Sequence, residues 1–139
     1  MCGEKIILRN PHFIRPYQHV LDCLSGYLIL AKAQYDNPGL AGAYNFGPKE
    51  ESCVTNSRLA ELFCLAWGES IWTVQNDNGP HEAGLLKLDC SKAKAILKWE
   101  PYWNIGTAIE KTVEFARCKD DKERIYCLNN QIKEYFGRI

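Results

Sequence analysis

Two guanidiniums and two imidazoles crowd one short stretch of this chain. Arg9, His12, Arg15 and His19 gather around Pro11 and Pro16. Such a loop suits a phosphate or diphosphate, because arginine offers a planar fork of donors that grips phosphate oxygens bidentately. The same residues also suit a solvated basic loop, since phosphate capture needs convergent geometry. Asn45 stands between Tyr44 and Phe46 in an otherwise apolar stretch. A polar amide there either satisfies buried backbone or faces a ligand, and the first use is the commoner. His81 and Glu82 follow the turn Asn78-Gly79-Pro80. Imidazole beside carboxyl is a proton-transfer pair in type. Neighbours on a loop need not face one another, however, and no nucleophile or metal partner accompanies them.

The sequence also excludes chemistries. It has no Gly-x-Gly-x-x-Gly, no Walker loop and no Gly-x-Ser-x-Gly elbow, and none of its seven tyrosines has a lysine four positions later. A nucleotide-phosphate cradle of the usual kinds and a nucleophile elbow are therefore missing. Residue types alone indicate a ligand-contacting lobe and no particular reaction.

The elements that would carry these groups follow from periodicity and punctuation. Ile6-Ile7-Leu8 reads as a strand, and residues 12–19 as a connecting loop or edge strand. Val20, Leu24, Tyr27, Leu28, Ala31 and Tyr35 recur at helical spacing, and Asn37-Pro38-Gly39 stops that helix. Ala43 to Phe46 is a strand candidate and Glu50 to Asn56 a polar loop. A second helix carries Leu59, Leu62, Phe63 and Ala66, with Thr55 or Ser57 as N-cap and Gly68 past its end. Ile71 to Val74 and Leu85 to Leu88 read as strands, with a turn-rich loop at Gln75 to Gly79. Asp89 caps a short helix with Ala93, Ile96 and Leu97, stopped at Trp99-Glu100-Pro101. Two helices follow. Asn104 caps the first, whose inward face is Ile105, Ala108, Ile109, Thr112, Val113 and Ala116. The second carries Ile125, Leu128, Ile132 and Tyr135 beyond the charged hinge Lys119 to Lys122. Strands this few and short cannot complete a doubly wound sheet, so the expected fold class is a helix-rich α/β lobe.

Composition narrows the partners. The chain has 139 residues, 17 Lys+Arg against 17 Asp+Glu, and a net charge of zero. Electrostatic capture of nucleic acid or of an anionic membrane is not expected. No apolar run approaches the roughly 20 residues of a membrane-spanning helix, and the first residues lack the apolar stretch of a signal peptide. The seven cysteines are odd in number, widely spaced and without a Cys-x-x-Cys. That pattern suits reduced structural cysteines in a cytoplasmic protein, with no metal site.

Arg15-Pro16-Tyr17-Gln18-His19-Val20-Leu21-Asp22, followed by a long helix, resembles a motif of the extended short-chain dehydrogenase/reductases that act on nucleotide sugars. Tyr44-Asn45-Phe46-Gly47 is similar to their Tyr/Trp-Asn-hydrophobic-Gly segment. Leu88-Asp89-Cys90-Ser91-Lys92-Ala93 and Leu97-Lys98-Trp99-Glu100-Pro101 resemble their Asp-x-Ser-Lys-Ala and Leu-Gly-Trp-x-Pro segments, with Lys98 where the family has glycine. With Ile14 to Leu21, Asn45 to Pro48 and Gly79 to Ala83, the pattern looks like the CDP-glucose 4,6-dehydratase group. The match runs from about Ile6 to Tyr135.

The resemblance implies the C-terminal portion of an extended Rossmann-type fold. Residues 1–139 are then a nucleotide-sugar-binding lobe without the upstream NAD-binding segment and its Tyr-x-x-x-Lys pair, which makes the chain a fragment inactive alone, or one that has lost the chemistry. Another NAD-dependent epimerase or dehydratase fragment, or a non-catalytic interaction domain reusing the lobe, are the alternatives. The reaction implied for the whole enzyme is an internal redox dehydration in which NAD carries the hydride. This chain alone is expected to bind no cofactor. By similarity Arg15 contacts the diphosphate, with Asn45 and His81 beside it, whereas His19 and Asp22 position the loop and cap the helix. The implied partners are a nucleotide sugar, a Rossmann domain and a second copy of the chain.

Overall fold

The computed structural model describes residues 5–68, 72–75 and 83–137. Its elements are β1 (Ile6–Leu8), β2 (Ile14–Pro16), α1 (Val20–Asp36), β3 (Cys53–Thr55), α2 (Asn56–Trp67), β4 (Trp72–Val74), α3 (Ile105–Ala116) and α4 (Asp121–Phe136), with 3-10 turns at Pro38–Leu40 and Glu50–Ser52 and a π turn at Ala93–Leu97. The expected helix-rich α/β fold with few short strands holds. The strands form two separate pairs, β1 parallel to β4 and β2 antiparallel to β3.

Each helix begins where a side chain can occupy an orphan backbone donor. His19 Nδ1 accepts from Leu21 N at the start of α1, Thr55 from Arg58 N at α2, Asn104 from Thr107 N at α3 and Asp120 from Glu123 N at α4. Gly68 ends α2 in the left-handed region at φ 86°, which a glycine adopts without a Cβ penalty, and its N–H returns to Cys64 O and Leu65 O.

The core has two centres. Phe46, Cys90, Ala93 and Trp99 form one, and Leu21, Trp103 and Tyr135 the other. Gly26 of α1 lets the helix lie directly on Phe46, whose ring would be only 2.3 Å from an added Cβ. Aromatic edges hold the rest: Phe46 meets Trp99 at 5.0 Å and Trp103 meets Tyr135 at 5.0 Å, both near perpendicular.

Between the two centres lies a buried polar knot. Asp22 is wholly buried and its Oδ1 accepts from Tyr135 OH at 2.7 Å, Tyr102 N at 2.6 Å and Trp103 N at 3.4 Å. Ser25 Oγ donates to Asp22 O at 2.7 Å and accepts from Trp99 Nε1 at 3.0 Å. Asp22 thus ties α1 to α4 and to the 99–103 turn in addition to standing in the first turn of its helix.

Several sequence expectations are corrected. Ala43 to Phe46 forms no strand among the described residues. Side chains satisfy it instead, through Lys92 Nζ to Ala43 O, Gln18 Nε2 to Phe46 O and Asn45 Nδ2 to Asp89 O. Leu85 to Leu88 contributes a single bridge, Leu85 to Ile14, not a strand. Glu50 to Asn56 is not a loop throughout, because the β-branched Val54 and Thr55 pair with β2 and Asn56 already opens α2. On α3, Ala108, Ile109 and Val113 are buried while Thr112 and Ala116 are exposed. On α4 the buried face is Cys127, Gln131 and Tyr135, whereas Ile125, Leu128 and Ile132 are 60%, 44% and 43% exposed. The α1 positions Val20, Leu24, Tyr27, Leu28 and Tyr35 are likewise open. Of the strand read at Ile71 to Val74, Trp72–Val74 is present, and most of the loop read at Gln75 to Gly79 lies outside the described residues.

Candidate functional site

Arg15 occupies the middle of β2, opposite Val54 of β3. The other edge of β2 is also covered. Ile14 N donates to Gly84 O at 2.9 Å and Leu86 N donates to Ile14 O at 3.1 Å. Of the two readings of residues 12–19, connecting loop or edge strand, the structure has a short strand, bridged at Arg15 to Val54 on one side and at Ile14 to Leu85 on the other. The Arg15 guanidinium donates from Nη1 to Ile14 O at 2.9 Å and lies over the Phe13 ring, 5.3 Å from the centroid. The side chain is half-buried.

The neighbouring turn is anchored to the start of α2. Asn56 N donates to Phe13 O, Ser57 N to Pro11 O and Asn56 Nδ2 to Asn10 O at 2.8 Å. Tyr17 OH donates to Asn56 Oδ1 at 2.5 Å, and burial raises the Tyr17 phenol above its ordinary value while Arg15 opposes that shift. Asn56 therefore fixes both ends of the Arg15 strand. Its neighbours in the sequence gave no sign of that, since it reads as one more polar residue in a polar stretch.

Asn45 is exposed, and its amide donates to Asp89 O at 3.1 Å. The segment from Gly84 to Asp89 links it to Arg15: one end pairs with Ile14 and the other receives Asn45. Leu85 and Asp89 are four residue steps apart, which span at most about 14 Å and bound the separation of those two anchor points. Lys87 and Glu50 form an ion pair along the same segment. Gly47 packs so closely on it that a Cβ would meet Leu88 at 3.0 Å. At its end Ser91 holds the exposed Asp89 carboxyl below its usual pKa, through its side chain first and its backbone N–H second. His81, with Glu82, lies outside the described residues, and the segment that follows it is the one bonded to β2.

The other imidazoles divide. His12 is exposed. His19 is buried, caps α1 through Nδ1 and meets Trp103 edge-on at 4.7 Å. Burial lowers its pKa, Asp22 opposes that, and Lys111 adds to the lowering. This is a structural histidine, as the motif resemblance implied. Among the described residues no cluster of His, Cys, Asp or Glu could hold a metal ion, and no helix is long and apolar enough to cross a membrane.

No family model matches the chain. CDP-glucose 4,6-dehydratase of Salmonella typhimurium is 35% identical to it over 138 residues, which is 97% of this chain and 38% of that protein. UDP-glucuronic acid decarboxylase 1 of Xenopus tropicalis is 29% identical over 117 residues, 84% of this chain and 25% of that protein. The chain therefore spans well under half the length of the curated relatives it matches. The crystal structure of UDP-N-acetylglucosamine 4-epimerase from Bacillus cereus superposes with a TM-score of 0.64 over 84% of this chain and 39% of the epimerase, at 22% identity, a likeness of fold.

Proposed function

Since the chain belongs to the extended short-chain dehydrogenase/reductases and matches part of their length, we propose that it forms the nucleotide-sugar-binding lobe of a CDP-glucose 4,6-dehydratase-type enzyme. In this reading Arg15 grips the diphosphate, and Asn45 and His81 flank it. The observation that supports this most is the setting of Arg15. Arg15 is a half-buried residue on a strand bridged at both edges, and its guanidinium is already directed by Ile14 O and the Phe13 ring, so little ordering cost opposes a bidentate contact. Asn45 stands at the far end of the segment that covers that strand. The amide bonded to Asp89 O is its nitrogen, so its side-chain oxygen is the group offered to a hydroxyl or an N–H of the ligand.

The described residues do not fit a dinucleotide. β1 runs into the turn at Pro11 and then β2, and the helix N-termini that follow β2 and β3 are capped by His19 and Thr55 with no glycine-rich turn before them, so none offers the usual pyrophosphate cradle. No step through NAD is assigned to this chain, whose part in the reaction is to bind and orient the sugar nucleotide. The apolar stripe of α1 and α4 is then where the rest of the enzyme packs.

Calorimetric titration tests the reading with CDP-glucose, CDP and glucose against wild type, Arg15→Ala, Arg15→Lys and Arg124→Ala. CDP-glucose and CDP should bind and glucose should not. Arg15→Ala should weaken binding by about 2 kcal/mol, roughly thirtyfold. Arg15→Lys should also weaken it, because a point charge cannot reproduce the fork. Arg124 pairs with Asp121 on the exposed face of α4 and serves as the control. Wild-type affinity in Arg15→Ala, or failure of CDP-glucose to bind at millimolar concentration, overturns the assignment.

A further inference from the structure

Asn56 reaches Arg15 from two sides. It opens α2, just past the cap residue Thr55, which pairs with Ile14 of β2. Its backbone N–H donates to Phe13 O at 3.0 Å, and the Arg15 guanidinium lies over that phenylalanine's ring. Its side-chain Oδ1 accepts from Tyr17 OH at 2.5 Å, and Tyr17 N donates to Arg15 O at 3.1 Å. Its Nδ2 donates to Asn10 O at 2.8 Å, in the turn that leads into β2. Phe13 before Arg15 and Tyr17 after it are thus tied to one residue. The amide spends its acceptor on one partner and its donor on another. An aspartate would lack the donor and a leucine both groups.

We propose that Tyr17 and Asn56 are positioning residues for the diphosphate contact, holding the backbone and the Phe13 ring that orient the Arg15 guanidinium toward a nucleoside diphosphate. The inference rests on the nucleotide-sugar reading of Arg15. A bidentate contact tolerates little tilt of the planar fork, so loosening the residues on either side of Arg15 is felt as lost affinity. Burial keeps the Tyr17 phenol protonated, so it remains a donor to Asn56 across the neutral range. Tyr17 touches Arg15 through its backbone and Asn56 through its hydroxyl, and the two bonds together close the bracket.

The test titrates CDP into the full chain by calorimetry, or by NMR where affinity is weak. Wild type, Tyr17→Phe and Asn56→Ala are compared with the same two substitutions in the Arg15→Ala background. Tyr17→Phe keeps the ring and deletes one bond, and should weaken binding about fivefold. Asn56→Ala deletes both side-chain bonds and should weaken it further, up to the roughly thirtyfold expected of Arg15→Ala. With Arg15 already removed, neither should change affinity by more than about twofold, because both act through the guanidinium. A merely structural role would weaken both backgrounds alike. Amide spectra show which variants are folded, and Tyr17→Phe carries the comparison by itself if Asn56→Ala is not. Equal losses in the two backgrounds, or wild-type affinity in Tyr17→Phe while Arg15→Ala is impaired, overturn this inference and leave the Arg15 assignment standing. Wild-type affinity in Arg15→Ala, or no binding of CDP to wild type, overturns that assignment and this inference with it.

Discussion

Tyr135→Phe and Asp22→Asn, singly and together, probe the knot that fixes α1 behind the Arg15 strand. The protons can be counted. Ser25 gives its proton to Asp22 O, so the phenol proton of Tyr135 is left for Asp22 Oδ1 at 2.7 Å. The contact of Ser25 Oγ with Tyr135 OH at 3.2 Å then lacks a proton of its own. Removing the phenol oxygen deletes one bond to a carboxylate and leaves almost no cavity, at a cost of about 2 kcal/mol. Asp22→Asn keeps the acceptor at Oδ1 but turns the two short bonds, from Tyr135 OH and Tyr102 N, from charge-assisted to neutral, which costs about 1 kcal/mol each. In the asparagine background Tyr135→Phe should therefore cost only about 1 kcal/mol, which leaves a coupling near 1 kcal/mol. Urea unfolding of the four proteins at one concentration, with unchanged slopes, measures this. Strict additivity, or a Tyr135→Phe cost below about 0.5 kcal/mol, would show that the phenol proton is not on Asp22 and would refute the proton count.

Two further outcomes follow. Burial holds the His19 pKa below its ordinary value of 6.5, so its contribution to stability is present above that pH and is lost as pH falls through the folded value; His19→Asn, which keeps an N-cap acceptor, should flatten unfolding midpoints measured between pH 7 and 5. Val20 and Leu24, 60% and 43% exposed, line one groove with Leu128 and Ile132, and Leu28 on the same helix is 62% exposed, so the chain should self-associate in sedimentation at rising concentration, and Leu28→Glu should suppress this with little change in unfolding midpoint.

Helices were legible where their punctuation is: Asn104, Thr55 and Gly68 are where their residue types suggested, and Asn37 ends α1. Strand pairing was not, because three-residue strands such as Cys53–Thr55 carry no periodicity and are defined by partners distant in sequence. The apolar pattern of α4 misled for a different reason. Gln131 is buried because Lys111 O and Glu114 accept from its amide, and Ile125 is 60% exposed because no described residue covers it. Arg15 could be singled out by type and motif, but the clamp on its strand depends on Gly84 and Leu86, far along the chain and unmarked by any local signal. Asn56, which anchors Tyr17 and the turn at Asn10, was hidden in the same way.

The most direct test of the nucleotide-sugar lobe is where the ligand lands. Titrating CDP into isotope-labelled chain and mapping the amide shifts locates it without assuming a contact. The account predicts the largest shifts at Ile14, Arg15 and Gly84 to Leu86, smaller ones near Asn45, and their collapse in Arg15→Ala. Shifts centred on the apolar groove between α1 and α4, at Val20, Leu24, Leu128 and Ile132, with the Arg15 strand silent, would contradict it.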